Sequence, residues 1–456
     1  MSQNTNENKM GIVPVNKLLI SMSLPMMISM LVQALYNIVD SIFVSRIAET
    51  AVRAVSLSFP LQSLMIAIAS GSAVGVNALL SRSLGEKNYE KVNKVAGNGI
   101  FMAILCYLLF VLIGLFAVRP FMYSQTGVES VRNYGVSYLT ICCVCSVGMF
   151  TQMIFERLLQ STGKTFYTMI TQGTGAMINI ILDPIFIFGY FGVPRMEAAG
   201  AAVATVLGQM VAAGLAMFFH FKKNEEVRFH LSHLKPDLCI IGQVYAVGAP
   251  SIIMQAIGSV MTYGMNLILE AYGVAQTAFG LYFKLQSFVF MPVFGLNNGM
   301  VPIVAYNYGV GNRKRVIDTM KYAIAYAVGI MLTGLVIIEL IPGQLLGLFQ
   351  APPKLLEVGI PALRIICISF VFAGFCIVTG SVFQALGNGV YSMIVSIARQ
   401  LVVLLPVAYL LSLTGNVVNI WWAFPIAEIM SVAMTVFFLL RINKKVISHI
   451  GEQAQS

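Results

Sequence analysis

Long apolar stretches separated by short polar breaks run along almost the whole chain. The stretches Ile100–Val118 and Tyr322–Ile341 each contain at most one charged residue. About 20 helical residues are needed to cross a bilayer core, and only helices or closed barrels pair every backbone group in lipid. A barrel would show short segments of alternating polarity instead. The pattern therefore predicts an all-α polytopic membrane protein.

Twelve transmembrane helices are predicted between the polar breaks. The first apolar run follows a polar N-terminus that lacks a compact, cleavable signal peptide, so we expect this run to remain as a spanning helix. The predicted spans are residues 15–45, 51–80, 95–117, 129–157, 163–189, 196–220, 240–270, 275–303, 318–342, 354–384, 388–412 and 418–441.

An internal repeat divides these helices into two sets of six. The motif Gln160-x-x-Gly163 recurs as Gln384-x-x-Gly387, and Gly85-x-x-Asn88 recurs as Gly309-x-x-Asn312, both at an offset of 224 residues. Because six is even, both sets enter the membrane from the same side, as in transporters whose parallel repeats enclose a central cavity. We predict a disordered cytoplasmic N-terminus at residues 1–14, a six-helix lobe at 15–221, a cytoplasmic linker at 222–238, a second, pseudo-symmetric six-helix lobe at 239–441 and a cytoplasmic tail at 442–456.

Composition and charge agree with a membrane location. The 456 residues are 58% hydrophobic and 10% charged, whereas a soluble domain carries about 25% charged residues. The net charge of +10 comes from 28 Lys and Arg residues, of which 19 would lie on the side of the N-terminus and 7 on the other. Basic loops stay cytoplasmic, so we expect both termini in the cytoplasm of a bacterial inner membrane, and no nucleic-acid partner.

Asp40 and Asp183, two acidic residues within predicted spans, are the strongest candidates for a functional site. An ionised carboxylate inside a span costs about 2.5–3.5 kcal/mol on insertion scales, so such residues tend to be functional or paired. Asn179 lies one turn before Asp183, and Pro184 follows at once, which clusters oxygen atoms suited to protons or Na⁺. The alternatives are that Asp183 caps a kink and that Asp40 is an interfacial residue at a helix end.

Other polar residues within the spans are weaker candidates. Glu156 is either functional or interfacial, and Lys284 and Arg399 either extend to the membrane surface or pair with Glu428. Pro25 is either a hinge in the first helix or a structural kink. Four polar positions on the first helix of each half are predicted to line the substrate cavity: Gln33, Tyr36, Asn37 and Gln255.

Several motifs resemble those of the multidrug and toxic compound extrusion (MATE) family. Tyr36–Val44 is similar to its helix-one motif, Asn179–Gly189 to its helix-five motif and Gly200–Thr205 to its helix-six motif, while Val301–Gly309 resembles the MepA-like bacterial branch. The resemblance implies export of amphipathic, often cationic compounds, driven by H⁺ or Na⁺. It also implies a coupling-cation site at Asp40, Asn179, Asp183 and Thr205, with Pro25 in the helix that bends.

Two other functions of the same superfamily compete with drug export: a flippase for a lipid-linked precursor and a dedicated metabolite exporter. Flippase relatives usually have two more helices and a strongly basic cavity, which this sequence does not predict. The chain has no HExxH zinc motif, GxSxG nucleophile or Asp-rich magnesium cluster. We therefore expect a monomeric transporter, not an enzyme, with no cofactor and no resident metal apart from a possible Na⁺ coupling ion.

Overall fold

The described residues of a computed structural model, 8–228, 230–349 and 352–451, form α-helices joined by short connections. Ten helices are long and apolar enough to cross a membrane, and two bent helix pairs bring the number to twelve. The all-α fold with twelve candidate spans is therefore confirmed. The helices are α1 (Lys9–Ile12), α2 (Val15–Ser45), α3 (Glu49–Gly85), α4 (Tyr89–Leu112), α5 (Val118–Gln125), α6 (Glu129–Val144), α7 (Val147–Ser161), α8 (Thr165–Phe188), α9 (Ala198–Lys223), α10 (Leu238–Leu269), α11 (Ala275–Val310), α12 (Arg313–Leu340), α13 (Pro342–Gly347), α14 (Pro353–Cys367), α15 (Phe370–Ala385), α16 (Gly389–Ile397), α17 (Leu405–Ser412), α18 (Val417–Trp421) and α19 (Ala423–Lys445).

The two bent pairs occupy equivalent places in the repeat. Helices α6 and α7 meet at 44°, and α14 and α15 meet at 49°. The intervening residues, Cys145-Ser146 and Ile368-Ser369, are about one repeat apart. Two short π-helical segments, Ile113–Ala117 and Ala398–Leu404, also interrupt the spans. Such segments widen a helix locally and are frequent at functional sites.

The N-terminal region departs from the prediction. Residues 1–7, and 452–456 of the predicted tail, lie outside the described residues, but 8–14 are not disordered as predicted. Asn8 caps α1, and Met10 is fully buried. Arg315 of α12 donates hydrogen bonds to the carbonyl oxygens of Met10 and Val13, at 2.9 and 2.7 Å. A buried methionine and a cationic donor thus hold a segment that its polar composition predicted to be free.

The chain folds as two compact units. One comprises Ile28–Ile252, and the other comprises the described residues up to Met27 together with those from Ile253 onward. The chain enters the Ile28–Ile252 unit inside α2, two residues after Pro25, and leaves it inside α10, two residues after Pro250. Since this division is based on contacts, the predicted lobe boundaries at 221 and 239 stay a prediction.

Pairs of glycines on neighbouring helices allow close packing against the first part of α2 and of α10. In one unit, a Cβ atom on Gly295 would lie 2.5 Å from Cα of Met27, and one on Gly299 would lie 2.6 Å from Cα of Ser23. In the other, a Cβ on Gly75 would lie 2.2 Å from the carbonyl oxygen of Val244, and one on Gly71 would lie 3.0 Å from the carbonyl oxygen of Gly248. Small residues allow such close backbone approach between membrane helices, where packing is the main attraction.

Candidate functional site

Close packing of α8 on α9 forms one side of the candidate site. A Cβ atom on Gly208 of α9 would lie 2.7 Å from the carbonyl oxygen of Gly175, and one on Gly200 would lie 2.5 Å from the backbone of Phe186. The two backbones can therefore approach only because glycine occupies these positions. This approach places Asn179 and Asp183 of α8 beside Thr205 of α9, as the family motifs predicted.

Asn179 joins the two helices through its amide group. Oriented to satisfy its neighbours, its Nδ2 donates to Oδ2 of Asp183 at 2.9 Å, and its Oδ1 accepts from the backbone N–H of Thr205 at 2.9 Å. The hydroxyl of Thr205 donates to the carbonyl oxygen of Ala201 at 2.9 Å and lies 3.1 Å from the Asn179 amide. Asn179 and Asp183 are buried, so these bonds form away from solvent.

Asp40 of α2 completes the cluster from the other side. Its carboxyl group lies within hydrogen-bonding reach of the Asp183 carboxyl. Oδ1 of Asp40 and Oδ1 of Asp183 are both buried and have no hydrogen-bond partner within the described part of the chain. The predicted pairing of these two acids is therefore present in the structure, and each acid leaves one oxygen atom unpaired.

Tyr36, which we predicted only as a residue of the cavity wall, belongs to this cluster as well. It lies one turn before Asp40 on α2, and its hydroxyl is within hydrogen-bonding reach of Thr205. Nearby, Nε2 of Gln62 donates to the hydroxyl of Tyr138 at 3.0 Å. The helical spacing of Tyr36 and Asp40 was the sequence signal that placed them on one face.

The cluster has the chemistry of a site for a proton or a hard cation. Two carboxyl groups in contact in a low-dielectric interior cannot both be ionised at low energetic cost without a proton or cation between them. The available oxygen atoms are the two unpaired Oδ1 atoms, the Asn179 amide oxygen and the Thr205 hydroxyl. An all-oxygen set of this kind fits Na⁺ as well as a proton.

The other charged candidates lie outside this cluster. Glu156 is 3% exposed and accepts hydrogen bonds from three neighbours, so its side chain is buried within the protein; whether it is functional or interfacial stays a prediction. Arg399 donates to Oε2 of buried Glu428 at 3.2 Å, which confirms that pairing. Lys284 lies over the ring of Phe349, with its Nζ 5.8 Å from the ring centroid, and its predicted pairing with Glu428 is absent from the described contacts.

The remaining predicted residues are exposed or half-buried. Gln33, Asn37 and Gln255 are exposed on α2 and α10, and their role in a substrate cavity stays a prediction. Pro25 lies inside α2 and is half-buried. The segment 190–197 returns to α8 through hydrogen bonds from the backbone N–H groups of Met196 and Glu197 to the carbonyl oxygens of Phe186 and Ile187. These bonds hold the residues that precede α9 against the end of α8.

Comparison with known proteins identifies the family. The MatE family profile matches residues 25–185 and 250–410, one copy in each half of the chain. The chain belongs to the MatE family. The two matched regions begin at the prolines of the first helices, Pro25 and Pro250, and these starting positions are 225 residues apart. The internal repeat predicted from short motifs is thus a duplication of the MatE domain.

Curated relatives of this MatE protein are named as multidrug exporters. It is 27% identical over 431 residues to the multidrug export protein MepA of Staphylococcus haemolyticus, with 94% of each chain covered. It is also 27% identical over 436 residues to MepA of Staphylococcus aureus, again with 94% coverage of both chains. The predicted resemblance to the MepA-like branch is confirmed. These relatives are all bacterial export proteins.

Solved structures show the same fold. An outward-facing multidrug resistance MATE transporter superposes with a TM-score of 0.91 at 25% identity, covering 97% of this chain and 99% of that one. A MATE structure in a straight conformation gives a TM-score of 0.90 at 26% identity, with 96% and 98% coverage. A transporter from Pyrococcus furiosus, with a TM-score of 0.88 at 25% identity and 98% and 99% coverage, is described as having a binding pocket of reversed polarity that suggests a different function.

Proposed function

We propose that this MatE protein is a cation-coupled antiporter, driven by H⁺ or Na⁺, that exports amphipathic and often cationic compounds by rocker-switch alternating access. The observation that carries the proposal is the contact between Asp40 and Asp183. Two acids in contact, each with a buried unpaired oxygen atom, require an exchangeable cation when both are ionised. A gradient of that cation can then supply the free energy for transport.

The position of the acids indicates how binding would move the protein. Asp40 lies on α2, fifteen residues beyond Pro25, and Pro25 removes one backbone hydrogen bond where α2 crosses between units. Binding or loss of a cation changes the attraction between Asp40 and α8, which bears Asp183. Because α2 can bend at Pro25, we infer that the outer part of this helix responds to the change and narrows the path of the substrate.

The proposed orientation places both termini in the cytoplasm. The basic residues are concentrated in the linker 222–238, the loops on the same side and the two ends of the chain. Since short basic loops resist translocation, this distribution supports cytoplasmic termini in the inner membrane.

The proposal is tested by dye efflux from liposomes that contain the purified protein, under separately imposed H⁺ and Na⁺ gradients. Wild-type protein should move a fluorescent cationic dye against its gradient with at least one of these ions. Asp40→Asn and Asp183→Asn keep the size and remove the charge, so each should nearly abolish this efflux while dye binding remains measurable. The double variant should be little worse than either single variant.

Glu129→Gln is the matched control, because it removes an exposed acid at the start of α6 in the same unit. It should transport like wild type. A wild-type protein that ignores both ion gradients would refute the proposed function. Normal ion-driven efflux by both Asp variants would refute the assignment of the coupling site.

A further inference from the structure

A third acid is buried in the unit that contains the coupling cluster. Glu156 of α7 accepts hydrogen bonds at Oε1 from Nε2 of Gln152, at 2.9 Å, and from Oγ1 of Thr171, at 2.8 Å. Its Oε2 accepts from Nε2 of Gln172 at 2.7 Å. Within the described part of the chain all of its side-chain hydrogen-bond donors are uncharged, so uncharged groups provide the direct contacts that offset the cost of burying its charge.

Thr171 allows this carboxyl group to exist in either protonation state. Its Oγ1 lies 2.8 Å from Oε1 of Glu156 and also 2.8 Å from the carbonyl oxygen of Thr168. A hydroxyl has one proton to donate and can accept as well. It donates to an ionised Glu156; when Glu156 is protonated, the carboxyl donates to Thr171, which then donates to Thr168. Neither state leaves this part of the network without a partner.

Gln172 connects the same carboxyl group to α2. While its Nε2 donates to Glu156, its Oε1 accepts a hydrogen bond from the hydroxyl of Ser29. Ser29 is buried and lies one helical turn beyond Pro25. Two hydrogen bonds therefore join a titratable group on α7 to the part of α2 that lies just beyond its proline.

The charged groups around α7 interact elsewhere or only weakly with Glu156. Arg157, the next residue, donates to Gln160 and attracts Glu156 electrostatically. On α9, the buried His220 packs edge-to-face against Phe155 and hydrogen-bonds Asn224. Three ion pairs lie near the ends of neighbouring helices. Lys164, just before α8, pairs with Glu226, which follows α9. Arg82 in the last turn of α3 pairs with Glu86, and Lys94 pairs with Glu90 within α4.

We propose that Glu156 is a second proton-binding carboxyl group, which tethers α2 through Gln172 and Ser29 when ionised and loosens the tether when protonated. Hydrogen bonds to an ionised acceptor are about twice as strong as neutral ones. Protonation of Glu156 therefore weakens the bond from Gln172 and frees the segment beyond Pro25 to bend. The inference rests on the proposed function for its role in transport, and it adds a proton site separate from the Asp40–Asp183 pair.

The test measures the mobility of α2 without gradient or substrate. A spin label is placed at exposed Leu35 in a variant whose seven cysteines are replaced, and its spectrum is recorded in liposomes from acidic to alkaline pH. In an Asp40→Asn/Asp183→Asn background we expect a pH-dependent change in mobility that Glu156→Gln and Ser29→Ala each abolish. Glu86→Gln, an exposed acid in the same unit, should keep it.

A second measurement covers the case in which the double Asp background does not fold. Infrared difference spectra between acidic and alkaline pH on otherwise wild-type protein should lose one protonated-carboxyl band in Glu156→Gln and keep it in Ser29→Ala. A mobility curve or a carboxyl band that Glu156→Gln leaves unchanged would overturn the inference. Dye efflux by wild-type protein decides the proposed function separately, because neither tether measurement involves transport.

Discussion

Replacing Gly208 by alanine should damage the candidate site without touching any of its polar groups. The new Cβ would lie 2.7 Å from the carbonyl oxygen of Gly175 and 3.3 Å from Cβ of Asn179. The shortest carbon–oxygen contacts between helices are about 3.3 Å long, so α8 and α9 must separate by roughly 0.6 Å to accommodate the new Cβ. The bonds that Asn179 makes to Thr205, at 2.9 and 3.1 Å, would then stretch to the limit of hydrogen bonding.

The expected magnitude follows from this displacement. Losing a buried hydrogen bond costs about 1–3 kcal/mol, which corresponds to cation binding that is roughly 5- to 150-fold weaker. Overpacking costs about 1–3 kcal/mol of stability, partly offset by about 1 kcal/mol from the higher helix propensity of alanine. Gly208→Ala should therefore lose most of its ion-driven dye efflux, with a modest decrease in Tm.

Gly214→Ala is the control for this experiment. It lies on the same helix, α9, and a Cβ atom there would meet no other atom within 4 Å. It should transport like wild type and should be no less stable, since only the propensity gain remains. Equal ion-driven efflux by Gly208→Ala and Gly214→Ala would show that close α8–α9 packing does not position the site.

Three further predictions concern other parts of the molecule. Arg399→Met should lower stability by about 3–5 kcal/mol in thermal unfolding, because it leaves Glu428 buried without its partner, and Arg399→Met/Glu428→Met should recover most of the loss. Reporter fusions within 222–238 should give a cytoplasmic signal; an external signal would reverse the topology. Cysteines placed at Gln33 or Gln255 in a cysteine-free protein should be protected from thiol reagents by substrate, and lack of protection at both would refute the cavity assignment.

The fold was predictable because membrane insertion imposes strong rules on sequence. Length and apolarity identify spans, and duplication leaves motifs such as Gln160-x-x-Gly163 at a fixed offset in both halves. The contact of Asp40 with Asp183 was predictable for a related reason. Acids inside spans are few, so two family motifs that each contain one of them restrict the choice of partners.

The contacts of uncharged polar residues could not be predicted in the same way. Ser29, Gln172 and Thr171 are ordinary membrane-helix residues whose importance comes from their position around Glu156. Their network spans α2, α7 and α8, and no local spacing encodes contacts between three helices. The order of 8–14 was missed for a similar reason, because the donors that hold it come from Arg315, about 300 residues away in sequence.

The duplication helps to explain why only one half would bind a coupling cation. At a shift of 223 residues, Thr205 of α9 corresponds to Glu428 of α19, and Met265 of α10 falls at the place of Asp40 at a shift of 225. Glu428 is already neutralised by Arg399, a cation that cannot leave. Asp40 and Asp183 have no basic partner within the described residues, so under the proposed function their charge would be balanced by a cation that can exchange. The same helical framework would then carry a fixed charge pair in one half and an exchangeable one in the other, and only α2 would respond to an ion gradient.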